Sequence, residues 1–304
     1  MPRPKIGLAL GGGGARGAAH IGALQVLQKN NIPIHQIAGT SAGSVIGAMY
    51  AATLDPDWVE NRFREFLKSE PFKALGTDHL LSKPASSNSA FNQFAKKLKD
   101  QVILAMSLHR NSIMKKSRLK EAFDFLIPVK TFEELQIPLK IIATDLNTCR
   151  RVVYDSGDLI EAATRSGTIP GYVEPTEIDG QLIVDGGVSM PLPTSIIRDE
   201  VDILIGIDIR RRGVKPLVET NIYEIMMRSD MSTYQNLINH YSKEADLLIS
   251  PDVKDYLWSE FGHFDYFFNE GIRAAENSIM TIRRQIDNRK SLIFRLKQWF
   301  GLQN

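Results

Sequence analysis

Short apolar runs alternate along this chain with longer stretches of helical composition. The apolar runs are residues 5–10, 34–38, 139–144, 203–208 and 246–249. Parallel strands that are covered by helices on both faces read as continuous apolar segments, because neither side of such a strand meets water. The sequence therefore predicts an α/β domain with a mostly parallel central sheet.

Length and composition fit this fold class. A chain of 304 residues can form one large domain or two small ones, and no internal repeat or linker divides it. The net charge of +2 is too small to indicate a nucleic-acid partner. Cys149 is the single cysteine, which excludes an intramolecular disulfide, and we interpret it as a structural turn residue. No run is long enough for a membrane span, and we expect a cytoplasmic protein.

A candidate nucleophile lies in a Gly-x-Ser-x-Gly segment. Ser41 is flanked by Gly39 and Gly43, follows the predicted strand at 34–38, and precedes an apolar helix predicted over Ala42–Leu54. At such a corner the serine hydroxyl projects from the turn, and the glycines leave room for its attack. The helix N-terminus also favours negative charge near the serine.

A second glycine-rich segment runs from Gly11 to Gly17, between the strand Ile6–Leu10 and a helix predicted over Ala18–Lys29. The spacing Gly12-x-Gly14-x-x-Gly17 matches a dinucleotide fingerprint, so a nucleotide site is one interpretation. That fingerprint requires an acidic residue about 20 positions later. The chain has no Asp or Glu between Gly17 and Asp55, and Ser41 stands in the corresponding place.

The other interpretation makes this segment an oxyanion hole. The backbone N–H groups of Gly12, Gly13 and Gly14 would then face the developing alkoxide of an ester carbonyl. Arg16 has two possible roles: it holds the loop through carbonyl contacts, or it attracts an anionic head group. His20 is interpreted as a packing histidine.

A serine nucleophile needs a base, and the best candidate is Asp185. It ends an apolar run and is followed by Gly186 and Gly187, which let other backbone approach its carboxylate. An aspartate has an ordinary pKa near 3.9 and needs burial to act as a base. A plain turn aspartate is the alternative. Among the six histidines, His263 is the best rival base.

These three motifs together resemble the patatin-like phospholipases, which are Ser–Asp dyad lipid acyl hydrolases. The resemblance extends from Lys5 to Glu276, and residues 80–129 are not recognisable within it. Three further segments resemble family elements, at residues 143–148, 162–171 and 246–252.

The resemblance implies a three-layer α/β/α fold over residues 1–288, with a helical cap inserted at about 80–130. It implies Ser41 as the nucleophile and Asp185 as the base. The sequence has no Asp, Glu and His cluster with metal-ligand spacing, so we expect neither a metal nor a cofactor. The resemblance assigns the oxyanion region to Gly12, Gly13, Gly14 and Arg16, supported by Gly17, Gly39, Gly43, Gly186 and Gly187. The implied substrate is a phospholipid or lysophospholipid.

Two basic segments suggest contact with the inner membrane face. Residues 96–120 carry lysines, with apolar side chains at helical spacing from Phe91 to Val102, as in a solvated cap or a lid. Residues 289–304 predict an amphipathic helix, which either binds a membrane or packs on protein. The apolar face of that helix consists of Leu292, Ile293, Leu296, Trp299 and Phe300. The sequence predicts no oligomeric state.

Two other functions remain open. An acyltransferase on a related scaffold would pass the acyl group to an alcohol or thiol, although that chemistry commonly pairs serine with histidine. A nucleotide-binding or regulatory protein would keep the glycine loop and perform no chemistry.

Overall fold

A central β-sheet organises the protein. The computed structural model describes residues 4–76, 112–214, 216–217 and 221–290. Within these residues the strands are β1 (Ile6–Leu10), β2 (Gln36–Thr40), β3 (Leu139–Asp145), β4 (Arg150–Tyr154), β5 (Thr176–Ile178), β6 (Gln181–Asp185), β7 (Ile203–Ile207) and β8 (Leu247–Ile249). Their order is β5-β6-β3-β2-β1-β7-β8, with β4 paired to β3.

The centre of the sheet is parallel and one side is antiparallel. β1 pairs in parallel with β2 and β7, and further parallel pairs join β2 to β3 and β7 to β8. β4 and β6 run antiparallel to β3, and β5 runs antiparallel to β6. The predicted mostly parallel sheet is confirmed, and its antiparallel side includes β4 and β5, which the apolar runs did not indicate.

One long strand brings the ends of two others together. β2 lies along the first part of β3, up to the pair Thr40–Ile142, and β6 lies along the last part, from the pair Asp185–Ala143. β4 pairs with both parts of β3, so β2 and β6 must share the opposite edge. The C-terminal ends of β2 and β6 therefore meet at the middle of β3, and the residue after Thr40 lies next to Asp185.

Helices cover the sheet. They are α1 (Ala18–Lys29), α2 (Ala42–Thr53), α3 (Pro56–Phe66), α4 (Glu70–Ala74), α5 (Lys116–Leu126), α6 (Leu159–Ser166), α7 (Ile222–Ser242) and α8 (Phe264–Lys290). In the described ranges, no helix combines the length and the apolar character needed to cross a bilayer.

Both faces of the sheet are buried, which explains the continuous apolar runs. In β1, Leu8 and Leu10 belong to the larger core cluster, whereas Ala9 between them belongs to a second cluster. That second cluster also contains Leu192 and Leu204. Alternate side chains of one strand thus enter two separate cores, as the three-layer α/β/α arrangement requires.

One strand has different bounds from those that the sequence predicts. The second strand runs from Gln36 to Thr40 rather than over 34–38, and all its residues are buried. Gln36 fits this setting because its amide hydrogen-bonds to Glu200, so the polar residue does not mark an exposed face. The shift places the strand end directly before Ser41.

The predicted cap and tail lie partly outside the described residues. Residues 77–111, which hold the basic segment 96–99 and the apolar positions from Phe91 to Val102, are not described, nor are residues 291–304. The described end of the cap forms α5, whose Leu119, Ala122 and Leu126 are buried against the core. α8 continues to Lys290, past the predicted boundary at 288, and the interfacial tail stays a prediction.

Candidate active site

Ser41 occupies a strained corner between β2 and α2. Its φ of 53° and ψ of −121° place a non-glycine residue at a backbone conformation that costs free energy. Its N–H donates to Ser166 Oγ at 2.8 Å, and that hydroxyl donates to the Ile142 carbonyl at 2.6 Å. These two bonds fix the corner to β3 and α6, so the hydroxyl of Ser41 is held in one direction.

The flanking glycines allow the corner to pack closely. A Cβ on Gly43 would lie 2.2 Å from the Leu10 carbonyl oxygen, and one on Gly39 would lie 2.5 Å from the Gly43 carbonyl oxygen. The same holds beside the aspartate, where a Cβ on Gly186 would lie 2.2 Å from the Ile142 carbonyl oxygen. No side chain fits at these positions, which is the physical reason for the glycines of both motifs.

Ser41 and Asp185 form a hydrogen-bonded pair. The Ser41 hydroxyl donates to Asp185 Oδ2 at 2.6 Å, and the Gly187 N–H donates to Asp185 Oδ1 at 2.7 Å. The backbone of Asp185 is also fixed, because its N–H donates to the Thr168 carbonyl at 2.8 Å. Ser41 is 8% exposed and Asp185 is 7% exposed, so both groups are shielded from bulk water.

Burial changes the basicity of Asp185. Desolvation raises its pKa to about 6, against the opposing effect of the hydrogen bonds from Ser41 and Gly187. A carboxylate with this pKa is mostly ionised at neutral pH and is a stronger base than an exposed aspartate. The pair therefore has the geometry and the proton affinity for activating a serine hydroxyl.

The glycine loop passes beside Ser41. A Cβ on Gly12 would lie 3.4 Å from Ser41 Cβ, and the Gly12 N–H donates to the Pro191 carbonyl at 3.0 Å. Among the described residues, the N–H groups of Gly13 and Gly14 have no protein acceptor. The candidate oxyanion donors are thereby reduced to Gly13 and Gly14, since the Gly12 amide is already engaged.

Arg16 and Gly14 hold the loop in shape. Arg16 Nε donates to the Gly13 carbonyl at 3.0 Å, as expected for a loop-holding residue. Gly14 has a φ of +57°, and a Cβ there would lie 2.3 Å from the Trp258 carbonyl oxygen. Gly17 packs closely against α2, since a Cβ added at Gly17 would lie 3.0 Å from Ala42 Cβ.

The histidines serve other purposes. His20 is fully buried, its Nε2 lies 2.8 Å from the Gly11 carbonyl oxygen, and burial lowers its pKa to about 4. It is therefore neutral at physiological pH and supports the loop, in agreement with the packing interpretation. His263 is exposed and its ring lies 4.2 Å from that of Tyr256, centroid to centroid. The hydrogen-bond partner of Ser41 is Asp185, not His263.

An apolar cavity of about 710 Å³, including its open mouth, adjoins Ser41. Its described walls include α2, α3 and α5 together with Gly14 and Gly17 of the glycine loop, and none of the described lining residues is charged. The cavity has the predominantly apolar lining of a small-molecule site. Representative lining residues are Val45, Ile46, Phe63, Phe66, Leu119 and Phe123.

Tyr234 is a site residue that the sequence did not reveal. It lies on α7, its hydroxyl is 3.4 Å from the Gly12 carbonyl oxygen, and burial raises its pKa to about 12. Its ring lies 3.7 Å from the position of a Cβ on Gly187. Ser166 was equally hidden, although its position in a small-residue segment before Asp185 offered a weak signal.

Within the described residues, no three His, Cys, Asp or Glu side chains lie together as a metal site would require.

The sequence profile of the patatin-like phospholipase family matches residues 8–197. This match covers more than half of the chain and includes the glycine loop, Ser41 and Asp185. The chain therefore belongs to the patatin-like phospholipase family.

Individual relatives share this relationship. An uncharacterised NTE family protein of Mycobacterium tuberculosis is 30% identical over 251 residues, which cover 78% of this chain and 61% of the relative. Patatin-like phospholipase domain-containing protein 6 of Homo sapiens is 33% identical over 198 residues, covering 64% of this chain and 12% of that protein. The chain thus spans less than two thirds of either relative.

Among solved structures, VipD from Legionella pneumophila is similar in fold. The aligned region covers 95% of this chain and 67% of the VipD chain, with 15% sequence identity and a TM-score of 0.49. A second structure is human GIVD cytosolic phospholipase A2 with a fluorophosphonate inhibitor and terbium chloride. Its aligned region covers 94% of this chain and 60% of the phospholipase chain. Its identity is 13% and its TM-score is 0.48. At these values the two likenesses carry no functional argument.

Proposed function

We propose that this protein is a serine acyl hydrolase that cleaves fatty-acyl esters of phospholipids or lysophospholipids. The observation that carries the proposal is the 2.6 Å hydrogen bond from Ser41 to the buried carboxylate of Asp185, at the edge of an apolar cavity. The family relationship supports the same class of reaction.

In the first step Ser41 Oγ attacks the ester carbonyl while its proton passes to Asp185 Oδ2. The carboxylate is prepared for this transfer because burial raises its pKa, and its other oxygen stays bonded to the Gly187 N–H. The bond from Gly187 holds the carboxylate in place during the transfer, so no rearrangement is needed.

The negative charge that develops on the carbonyl oxygen is received by the glycine loop. The N–H groups of Gly13 and Gly14 are the donors in this proposal, since both lack a protein acceptor among the described residues. One such donor contributes a factor on the order of 10² to 10³ in turnover. Arg16 and His20 keep the loop in this conformation through their bonds to the Gly13 and Gly11 carbonyls.

The intermediate then collapses to an acyl-enzyme. Asp185 returns the proton to the departing alkoxide, which leaves as an alcohol, and the acyl chain stays on Ser41 with its tail in the apolar cavity. Water attacks the acyl-enzyme in the second half of the reaction, with Asp185 again accepting a proton. The fatty acid is released and Ser41 is restored.

The other functions expected from the sequence receive no specific support. An acyltransferase would share the first half of this reaction and differ only in its acceptor. A nucleotide site would use the glycine loop, whose Gly12 N–H is bonded to the Pro191 carbonyl and whose Gly14 lines the same apolar cavity as Ser41. Peripheral contact with the inner membrane face and a cytoplasmic location remain proposals from the basic segments at 96–120 and 289–304.

A fluorophosphonate probe tests the proposal. The probe should label the chain at Ser41, as located by mass spectrometry, and Ser41→Ala should abolish both labelling and hydrolysis of a lysophospholipid. Ser44→Ala is the matched control, because this buried hydroxyl lies one helical turn away and donates to the Ser41 carbonyl. Labelling at another residue, or turnover by Ser41→Ala within tenfold of the parent at unchanged circular dichroism, would contradict the assignment.

A further inference from the structure

A tyrosine from a distant helix lies beside the proposed base. Tyr234 belongs to α7, beyond residues 8–197 that match the family profile. Its hydroxyl donates to the Gly12 carbonyl at 3.4 Å, and its ring atom Cε2 lies 3.7 Å from the position of a Cβ on Gly187. One side chain thus reaches both the glycine loop and the segment that directly follows Asp185.

The tyrosine ring and the carboxylate lie on the same side of Gly187. A Cβ added at Gly187 would lie 3.0 Å from Asp185 Oδ1 as well as 3.7 Å from the ring of Tyr234. The two groups are close enough to interact electrostatically, because the charge of Asp185 contributes to the raised pKa of Tyr234, after desolvation as the main cause. The ring therefore stands next to the oxygen that accepts the Gly187 N–H.

The acyl cavity does not shield this carboxylate. Ser41 belongs to the described lining of the cavity, whereas Asp185 and Gly187 do not. An acyl chain in the cavity therefore does not cover the carboxylate, and yet Asp185 is only 7% exposed. Its shielding comes from the protein itself. The ring of Tyr234 supplies an apolar surface on the side where the carboxylate meets Gly187.

Other ionisable side chains surround the tyrosine. Those that act on Tyr234 besides Asp185 are Arg16 of the glycine loop, and Asp208 and Arg210 after β7. His20, which supports the loop from α1, has its pKa lowered to about 4 by burial. A titration above pH 5 therefore reports Asp185 rather than His20. Desolvation is the main cause of the raised pKa of Asp185, so a side chain that keeps water away from it controls that pKa.

We propose that Tyr234 is a positioning residue of the active site, whose ring excludes water from the carboxylate of Asp185. The inference rests on the proposed function of Ser41 and Asp185, and it adds a residue that acts through the base. An apolar neighbour disfavours the charged form of a carboxyl group and makes its ionised form a stronger base. Tyr234 thus sets the pH range in which the site is active.

The pH dependence of kcat/KM for p-nitrophenyl butyrate tests this role in the full chain. Tyr234→Ala should move the apparent pKa of the acid limb from near 6 to about 5, because part of the desolvation is removed. At pH 5 the variant should then reach about half of its own maximum, against about a tenth for the parent. Its maximum should fall on the order of three- to tenfold, because the carboxylate is a weaker base.

Two variants separate the ring from other causes. Tyr234→Phe keeps the ring and loses the bond to Gly12, so the apparent pKa of its acid limb should stay near that of the parent. Tyr241→Ala is the matched control on the same helix, because the Tyr241 hydroxyl donates to the Ser189 carbonyl at 3.3 Å. This control should also leave the acid limb in place.

Three results of these assays would overturn the proposal. The first is a shift by Tyr234→Phe as large as that by Tyr234→Ala, and the second is an equal shift by Tyr241→Ala. The third is a lower activity of Tyr234→Ala at every pH with an unmoved acid limb, which indicates a purely structural role. If Tyr234→Ala does not fold, Tyr234→Leu takes its place: a smaller shift to lower pH supports the proposal, and no shift refutes it.

A titration of the carboxyl group without ester separates this inference from the proposed function. In protein with carbon-13 in its aspartate carboxyl groups, the NMR signal that is missing from Asp185→Asn belongs to Asp185. Its midpoint should fall by about one pH unit in Tyr234→Ala, as in the kinetic assay. An unmoved midpoint refutes the shielding role even if esters are hydrolysed. A moved midpoint in a protein without esterase activity supports the shielding role and refutes the proposed function instead.

Discussion

Replacing the carboxylate of Asp185, the proposed base, should make the protein more stable while it removes the proposed activity. The pKa of Asp185 is about 6 in the folded protein, against 3.8 for the ordinary side chain. Each pKa unit corresponds to about 1.36 kcal/mol, so the ionised carboxylate costs the folded state about 3 kcal/mol at neutral pH, an order-of-magnitude figure. Asp185→Asn has nearly the same shape and no charge, and it removes this cost.

The size of this stabilisation depends on pH. Below pH 3.8 the carboxyl is protonated in both states, and the penalty is absent. As the pH rises to about 6, the unfolded chain ionises first, so the parent loses stability; above that value the loss is complete. Asp185→Asn should therefore gain up to about 3 kcal/mol over the parent at pH 8, relative to their difference near pH 4.

Urea unfolding of both proteins at pH 4 and pH 8 measures this difference. Asp145→Asn provides a control of opposite sign, because hydrogen bonds led by that from Thr148 lower the pKa of Asp145, and its loss should destabilise the protein at pH 8. Turnover of p-nitrophenyl butyrate by Asp185→Asn should fall by at least about 10³. A parent and variant that differ equally in stability at both pH values would refute the desolvation argument.

Two more predictions follow from the same site. The kcat/KM for a soluble ester should rise with pH through an apparent pKa near 6 and level off above it, because in the proposed mechanism only ionised Asp185 accepts the serine proton. If the rise in kcat/KM disappears in His263→Ala, the titrating group is His263 and the assignment to Asp185 is wrong. Gly14→Ala should destabilise the protein more than Gly157→Ala, as urea unfolding would show. Both glycines have positive φ, but an added Cβ meets the Trp258 carbonyl oxygen at 2.3 Å at Gly14 and nothing within 4 Å at Gly157. If both variants lose the same free energy of unfolding, about 1–2 kcal/mol, the cost comes from backbone strain alone and not from the contact with Trp258.

The local elements of the nucleophile side could be predicted from sequence. The helix after the glycine loop runs from Ala18 to Lys29, as its composition indicates, and α2 starts directly after Ser41. Both depend on neighbouring residues: glycines where the chain turns and good helix formers beyond them. The sequence placed the second strand two residues too early. Gly39 and Thr40 have little apolar character, although both are buried in the sheet.

The remainder depends on contacts between distant residues. β4 has mostly exposed side chains and is not itself an apolar run. The sequence therefore did not indicate this strand or its pairing with β3. Tyr234 reaches Gly12 from a helix 222 positions later in the chain.

Because β2 and β6 meet on one edge of β3, the proposed ester hydrolysis would be sensitive to strand register. Successive side chains of a strand point to opposite faces, so a slip of one residue along β3 would turn the carboxylate of Asp185 away from Ser41. Such a slip would preserve most of the secondary structure and leave a circular dichroism spectrum almost unchanged. Ester turnover would report the error at once, and it can therefore rank refolded or redesigned versions of this sheet by the fraction of molecules with correct pairing.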